Sequence, residues 1–405
     1  MDEKSFPRWL PWMVATGAML AFTVRWLHYL YSFTAPQIIE EFGVSAATAS
    51  LMVTANSIGM VVGGFLIGIL CDKIGVRVTL SVAAIIVGIF TILVGFANSI
   101  YMAIVLFGIA GLFSWLSSAF PKIAKAWFSP SLYSTANSYM FLGFRLSALF
   151  MGPVVASIVI TSGWRNAWID MGILCIIMGI LAFALIRDRK DLGTSSEQRK
   201  TSFREIFKYR DAWILFSAYS MWLIGCVMYV VFTVTYLQKG LQLDPMTAGW
   251  LWSLLQLVGI ISMYTLLPLS DLLASKGIIS RKNFAGIMFF VAAIAFAVFG
   301  SLKPGMPVYY YAAAIIFVGL GALLLTTIPA PLISERFPPN LAGTATGFIT
   351  AVGQWPFIVM PPIAGMLAAS YGWGSIYLFS APFIAIGGLI LILLMKPPQK
   401  VANKA

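Results

Sequence analysis

The segment RDRKDLGTSSEQRKTSFREIFKYR, residues 187–210, is a long charged stretch in a chain that is otherwise strongly apolar. Of the 405 residues, 60% are hydrophobic and only 10% are charged, a composition far from that of a soluble domain. On each side of the segment, windows of roughly 20 apolar residues recur six times, and each can cross a hydrocarbon core roughly 30 Å thick. The sequence therefore predicts an all-α polytopic membrane protein with twelve transmembrane helices in two six-helix bundles.

The charged segment also predicts how the chain is divided. Residues 1–187 form the amino-terminal bundle, residues 188–210 a cytoplasmic linker, and residues 211–405 the carboxy-terminal bundle. The halves echo each other at an offset near 209 residues, as in SGWRNAW (162–168) and YGWGSIY (371–377). Weak symmetry of this kind is typical of transporters built from repeats, with the solute site near the membrane midplane between them. The predicted spans are residues 11–37, 44–70, 78–97, 99–128, 132–161, 165–187, 211–238, 245–271, 280–302, 306–333, 340–369 and 372–396.

The distribution of basic residues predicts the orientation. If both termini are cytoplasmic, 21 of the 26 Lys and Arg residues fall on the cytoplasmic side, and only Arg165, Lys239 and Lys303 fall outside. The net charge of +12 is thereby explained by topology, and no nucleic-acid partner is expected. The first span is too long for a signal peptide and is expected to be retained. Short tails and outer loops favour a prokaryotic plasma membrane.

Metal and catalytic chemistry have no signature in the sequence. The three cysteines, Cys71, Cys175 and Cys226, form no CxxC pair, and the chain has a single histidine, His28. No GxSxG, HExxH or Walker loop is present. We expect no metal, no cofactor and no enzymatic activity.

A short motif separates the second and third spans. GILCDKIGVR (68–77) contains Gly68, Asp72, Lys73, Gly75 and Arg77. It resembles the G-x-L-x-D-[RK]-x-G-x-[RK] signature of the major facilitator superfamily, and the plan of six plus six spans resembles that family along the whole chain. The resemblance implies a transporter with pseudo-twofold symmetry that acts as a monomer. A carboxylate and two cations in a tight loop can form a charge network that opens and closes with a rocking motion, although the cations also serve as positive-inside charges.

The second half carries a weaker counterpart of the motif. PLSDLLASKGIISRK (268–282) keeps Asp271, Lys276 and Arg281, but Leu267 stands where the motif has a glycine. Asp271 is the candidate gating carboxylate of this half. In the second span, Gly59, Gly63, Gly64 and Gly68 are small enough to allow close contact between helices.

Two arginines lie at the depth of the membrane. Arg25 is near the middle of the span 11–37, and Arg145 is equally deep in 132–161. A charge in such a position costs a few kcal/mol or more on insertion scales. All fourteen Asp and Glu residues fall in loops or at the ends of spans. We therefore expect Arg25 and Arg145 to bind an anion that enters and leaves, although contacts with backbone carbonyls are an alternative.

Further candidate residues follow from helical spacing. On the first span, Arg25, His28, Tyr29 and Ser32 share one face, which must turn inward from lipid. His28 is either a solute or proton-binding group or a structural residue. In the second half, the candidates for solute binding are Trp222, Tyr229, Gln256 and Gln354. The aromatic residues among them could equally be ordinary core.

These patterns predict a secondary active transporter that carries a small anionic solute, first of all a carboxylate, by alternating access. A co-transported proton or anion exchange would drive it. The alternatives are a multidrug efflux transporter, which two cations without midplane carboxylates disfavour, and a sugar carrier. A membrane receptor that does not transport is a further possibility.

Overall fold

The structure is a computed structural model that describes residues 7–129, 132–189, 203–327, 329–337, 341 and 345–396. Throughout these residues the regular secondary structure is helical. The chain divides into two compact units, Met1–Ser195 and Ser196–Ala405. Each unit is built from long apolar helices, as the composition predicts.

The amino-terminal unit contains seven α-helical elements in its described part. They are α1 Leu10–Phe22, α2 Leu27–Phe42, α3 Ala46–Ile74, α4 Val76–Gly95, α5 Ile100–Leu112, α6 Phe120–Trp127 and α7 Tyr133–Leu185. Short 3₁₀ segments, Thr23–Trp26 and Leu116–Ala119, precede α2 and α6. Ser45 caps α3 by accepting a hydrogen bond from the Thr48 amide at 3.1 Å, which satisfies an amide at the helix start.

The carboxy-terminal unit is also helical, with several irregular turns. Its α-helical elements in the described residues are α8 Phe203–Ile206, α9 Arg210–Val227, α10 Thr233–Thr235, α11 Pro245–Ser275, α12 Arg281–Gly300, α13 Val308–Thr327, α14 Pro329–Arg336, α15 Trp355–Tyr371 and α16 Ser375–Leu389. The π-helical segments are Met228–Phe232, Tyr236–Gly240, Gly347–Ala351 and Ile390–Leu394, and Val352–Gln354 is a 3₁₀ segment. Asp244 caps α11, and the hydrogen bonds from Thr247 lower the pKa of its carboxyl.

Ten helical stretches in the described residues are long and apolar enough to cross a membrane. One of them, Thr135–Leu185, contains a turn at Gly163, where φ is 80°, so that α7 consists of two helical parts. The turn lies between the predicted fifth and sixth spans. A shorter apolar helix, Val308–Gly321, lies within the predicted tenth span. The polytopic all-α fold is therefore confirmed, and the count of twelve stays a prediction.

Glycines hold α3 and α5 in close contact. A Cβ atom added to Gly59 would lie 2.3 Å from the Gly108 carbonyl oxygen, and one added to Gly63 would lie 2.0 Å from that of Leu112. On α5, a Cβ atom added to Gly111 would lie 2.2 Å from the backbone carbonyl oxygen of Asn56. These distances leave no room for a side chain, so the small residues set the separation of the two helices.

We expect the Gly63→Ala substitution to destabilise the protein by about 1–3 kcal/mol, because the added methyl group would push the backbone of α5 away. Thermal unfolding of the detergent-solubilised protein measures the effect. Gly68→Ala is the matched control, because no heavy atom lies within 4 Å of its added Cβ atom. Equal melting temperatures for the two variants would contradict this account of the packing.

Candidate functional site

Arg25 lies where the first span changes its helical type. The 3₁₀ segment Thr23–Trp26 separates α1 from α2, and Arg25 is within it. A 3₁₀ turn in the middle of a long helix is frequently a hinge or a functional feature, because its hydrogen bonds are poorer and its side chains are aligned differently. Sequence periodicity treats residues 11–37 as one regular helix. The structure instead has a 3₁₀ turn at Arg25, the predicted anion-binding residue.

Two neutral side chains contact the Arg25 guanidinium. Its Nη1 atom donates a hydrogen bond to the sulfur of Met60 on α3. Its Cζ atom lies 4.5 Å from the centroid of the Trp115 ring, a cation–π contact. Trp115 itself lies between α5 and the 3₁₀ segment Leu116–Ala119, with φ of −88° and ψ of 61°. Two interrupted helices therefore meet at Arg25.

Tyr29 and Arg145 belong to the same part of the amino-terminal unit. Tyr29 is buried, and its ring stacks on that of Phe144 with centroids 5.7 Å apart and an interplanar angle of 14°. The Cζ atom of Arg145 lies 5.5 Å from the centroid of the same Phe144 ring. Both arginines are half-buried. Tyr29 and Arg145 thus share Phe144 as an aromatic neighbour, whereas the aromatic neighbour of Arg25 is Trp115. The side chain of His28 lies outside the described residues.

In the carboxy-terminal unit, Tyr229 and Gln256 form a pair. Tyr229 lies in the π-helical segment Met228–Phe232, and its hydroxyl accepts a hydrogen bond from Gln256 Nε2 at 2.8 Å. Its ring stacks on Trp252, with centroids 5.8 Å apart. Tyr229 and Gln256 are almost fully buried. Both residues are predicted site residues. Trp252, one helical turn before Gln256 on α11, is an additional neighbour that helical spacing does not single out.

Trp222 and Gln354 have other neighbours. The Trp222 ring contacts Phe296 on α12, at 6.1 Å between centroids. Gln354 ends the 3₁₀ segment Val352–Gln354, next to Gly353, whose added Cβ atom would lie 3.8 Å from Ser220 Oγ. Both side chains are buried. The ring neighbour of Trp222 thus differs from that of Tyr229, which stacks on Trp252.

Hydrogen bonds from two side chains hold the π-helical turn that carries Tyr229. Thr233 Oγ1 donates to the Tyr229 carbonyl at 2.7 Å, and the Tyr377 hydroxyl donates to the Met228 carbonyl at 3.2 Å. The Thr233 and Tyr377 hydroxyl oxygens are 2.9 Å apart. A π-helical turn changes the backbone hydrogen-bond pattern, and these side chains satisfy two of its carbonyls. No local sequence signal could pair Tyr377 with a residue so distant in the chain.

The motif between the second and third spans forms a network with Lys122 and Asp188, which lie outside the motif. Asp72 Oδ1 pairs with Lys122 Nζ of α6 at 2.6 Å, and the same nitrogen donates to the Gly68 carbonyl at 2.9 Å. Lys73 is exposed. The partner of the motif carboxylate is therefore Lys122, a lysine from the predicted fourth span.

Asp188 completes the network at the start of α4. Its Oδ1 atom accepts hydrogen bonds from the amides of Val76 at 2.8 Å and Arg77 at 3.1 Å. Gly75 has a φ of 89°, and a Cβ atom there would lie 2.4 Å from Asp188 Oδ2. The Arg77 side chain donates to the Phe183 carbonyl at 2.8 Å. The motif glycine thus admits the carboxylate to the helix start, where an anion is favourable.

The counterpart in the second half also contains an ion pair. Asp271 Oδ1 lies 2.7 Å from Arg281 Nε, and Glu335 Oε1 lies 3.7 Å from Arg281 Nη1. Asp211 pairs with Arg336 at 3.3 Å. Asp271 therefore has a cationic partner despite the lack of the glycine in this motif.

An open cavity of about 400 Å³ lies elsewhere in the amino-terminal unit, and its lining contains none of the predicted site residues. There Arg165 binds Glu41 through Nε and Nη2, at 3.0 and 2.7 Å, and donates to the carbonyls of Gly95 and Ala97. Arg165 thus joins three helices through a carboxylate and two backbone carbonyls, which is a structural role. The contacts of Arg25 are different, with a thioether and an indole ring.

The chain belongs to the Major Facilitator Superfamily, whose sequence model matches residues 14–361. It is a membrane transporter of that superfamily, which confirms the family predicted from the motif, and not an enzyme. The fold is similar to that of a bacterial homologue of the human lysosomal transporter Spinster, with a TM-score of 0.77 and 15% identity, covering 96% of this chain and 97% of that one.

Several curated proteins are similar along most of their length. The "Hexuronate transporter" of Bacillus subtilis is 25% identical over 383 residues, covering 88% of this chain and 86% of the relative. The "Probable sulfoacetate transporter SauU" of Cupriavidus necator is 25% identical and covers 89% and 86%. The "Membrane sensor protein UhpC" of Escherichia coli is 23% identical and covers 91% and 90%.

We expect Tyr377→Phe to lower the stability of the protein by about 1–3 kcal/mol, because the Met228 carbonyl would lose the hydrogen bond of a buried hydroxyl. Thermal unfolding measures the loss. Tyr310→Phe removes the same hydroxyl from a residue that is 48% exposed and should leave the melting temperature unchanged. If Tyr377→Phe is as stable as Tyr310→Phe, the hydroxyl does not hold the π-helical turn.

Proposed function

We propose that this transporter carries a small anionic solute, with a carboxylate as the first candidate, and that Arg25 and Arg145 bind its negative charge. Transport is secondary active and proceeds by alternating access. The position of Arg25 carries the proposal: its guanidinium lies in a 3₁₀ turn near the middle of a membrane-spanning stretch, beside the break at Trp115. Interrupted helices at solute sites are a recurring feature of transporters.

The contacts of the two arginines suit this role. The Met60 thioether and the Trp115 and Phe144 rings contact the two guanidiniums and carry no net charge. A guanidinium also keeps its proton and offers donors in a planar fork that matches carboxylate, sulfonate and phosphate groups. Half-burial leaves part of each arginine accessible to such a group.

The relatives support the same class of solute. The solutes in the names of two relatives, hexuronate and sulfoacetate, differ in their anionic group, but both are anions. A pair of arginines can bind each of these groups by the same bidentate hydrogen bonds. We extend this class to the present chain, with Tyr29, His28, Trp222, Tyr229, Gln256 and Gln354 as further binding residues.

We propose that the network around the motif acts as a gate on the cytoplasmic side, where both termini also lie. In the first half, this gate consists of the motif residues Gly68, Asp72, Lys73, Gly75 and Arg77. Asp271 has the corresponding role in the second. The Asp72–Lys122 pair is partly exposed, so breaking it should cost little stability. Its effect should therefore be on the rate of transport.

Arg25→Gln and Arg145→Gln should each reduce the apparent affinity for the anion roughly ten- to hundredfold, because a charge-assisted hydrogen bond is lost. Uptake of labelled hexuronate, gluconate, sulfoacetate and glucose 6-phosphate into proteoliposomes measures this. Arg25→Lys should fall in between, since it keeps the charge but not the fork.

Arg165→Gln is the matched control for this assay. It should lower the melting temperature, because Arg165 joins three helices, but leave uptake per folded protein unchanged. Full uptake by Arg25→Gln, or uptake of a neutral sugar with no competition from anions, would contradict the proposal. Binding without uptake would indicate a sensor. Imposing proton and sodium gradients in turn identifies the driving ion.

Lys122→Met should slow transport several-fold and leave the melting temperature nearly unchanged, because the Asp72 pair is partly exposed. Lys125→Met is the control, since Lys125 is an exposed lysine on the same short helix. Rates from proteoliposome uptake at saturating solute measure the effect. Exchange of the charges, in Asp72→Lys with Lys122→Asp, should restore part of the rate. An unchanged rate in Lys122→Met would rule out the gate.

A further inference from the structure

The indole of Trp115 lies against α3 as well as against Arg25. A Cβ atom added to Gly64 would lie 3.0 Å from Trp115 Cδ1 and 3.5 Å from Trp115 Cγ. Gly64 is one turn after Met60 on α3, so the two residues share a face of the helix. Arg25 contacts both the Met60 sulfur and the Trp115 ring. Arg25, Met60 and Trp115 therefore form one cluster on this face of α3, and Gly64 leaves room for the indole.

The break in the fourth span determines where the indole points. α5 ends at Leu112, the Ser114 amide donates to the Gly111 carbonyl at 3.1 Å, and the 3₁₀ segment begins at Leu116. Between them, Trp115 has a ψ of 61°. The ψ of an α-helical residue is about −42°, so the backbone at Trp115 is not helical. The turn, and not the spacing of a continuous helix, therefore directs the indole to Arg25.

The glycine contacts between α3 and α5 fix the position of this break. Gly59 lies against the Gly108 carbonyl, and Gly63 lies against the carbonyl of Leu112, the last residue of α5. The close approach of the two helices thus continues to within three residues of Trp115. Backbone packing of this kind leaves little freedom to shift. The place of the indole is therefore set by the packing of two helices as well as by its own contacts.

A fixed aromatic ring can order an arginine without competing for its role. The π-system of tryptophan attracts a cation more strongly than that of tyrosine or phenylalanine, and a ring over Cζ uses none of the five N–H donors. A long side chain that is already ordered loses less conformational entropy when a ligand binds. An arginine held in this way therefore binds an anion more tightly than one that must first be ordered.

We propose that Trp115 is a positioning residue for solute binding, which holds the Arg25 guanidinium in the arrangement that binds the anionic group, and that Gly64 provides the space for its ring. This rests on the proposed function, since the anion is assigned to Arg25. It adds a requirement for an aromatic side chain that acts through the arginine and not through its own contact with the solute. The effect of changing Trp115 should therefore depend on the presence of Arg25.

A double-mutant cycle on the full-length protein tests the inference. The probe is whichever of hexuronate, gluconate, sulfoacetate and glucose 6-phosphate the wild-type protein takes up best, and its dissociation constant is measured. We expect Trp115→Leu to weaken binding about five- to thirtyfold, and Trp115→Phe, which keeps a ring, to weaken it less. In the Arg25→Gln background, Trp115→Leu should cause no further loss, because the ring then has no cation to hold. In proteoliposome uptake, Trp115→Leu should raise KM and change the maximal rate less than about twofold.

Two further variants accompany the cycle. Gly64→Ala places a methyl group 3.0 Å from Trp115 Cδ1, so the indole must shift, and binding should weaken about two- to fivefold. Phe113→Leu is the matched control, since it changes an aromatic residue two positions earlier in the same break and should leave binding unchanged.

Wild-type affinity in Trp115→Leu, or the same loss with and without Arg25, would overturn the inference. The proposed function would still stand in that case, provided that Arg25→Gln alone weakens binding. Undiminished binding by Arg25→Gln, or uptake of none of the four anions, would overturn the proposed function and the inference together. If Trp115→Leu does not fold, the cycle of Trp115→Phe with Arg25→Gln decides the question in the same way.

Discussion

A guanidinium keeps its proton at any physiological pH, and Arg25 holds one roughly midway along the helical stretch Leu10–Phe42. The local structure is arranged around this charge. The helix changes to a 3₁₀ turn at Thr23–Trp26, the fourth span is interrupted at Trp115, and a thioether and an indole ring contact the guanidinium. A charge at this depth must find compensation, and an anion bound by the guanidinium would supply it.

Three candidate residues lie in or at the end of irregular helical turns. Arg25 lies in a 3₁₀ segment, Tyr229 in a π-helical segment, and Gln354 at the end of another 3₁₀ segment. Such turns alter the direction of side chains and the pattern of backbone hydrogen bonds, and they are frequent at functional sites. The π-helical turn at Tyr229 is held by Thr233 and Tyr377, so the fold maintains the irregularity with specific hydrogen bonds. These three candidate positions coincide with departures from the α-helix, whereas Tyr29, Arg145, Trp222 and Gln256 lie in α-helices.

Sequence reasoning reached the fold and the superfamily because both depend on local patterns. Apolar windows reveal spans, and GILCDKIGVR is contiguous. The shared polar face of Arg25 and Tyr29 stays a prediction from helical spacing. Contacts between distant parts of the chain could not be predicted from the sequence. Asp72 pairs with Lys122, which is 50 residues away, and Asp188 caps a helix that begins at Val76. The helical irregularities were missed as well, since apolar windows look alike whether the helix is regular or not.

The central claim is that Arg25 and Arg145 bind the negative charge of the transported solute. An experimental structure of the protein with a bound sugar acid, determined by electron cryomicroscopy, tests it most directly. The account predicts a carboxylate oxygen within about 3 Å of a guanidinium nitrogen of Arg25 or Arg145. A carboxylate that lies away from both arginines and binds other groups would contradict it.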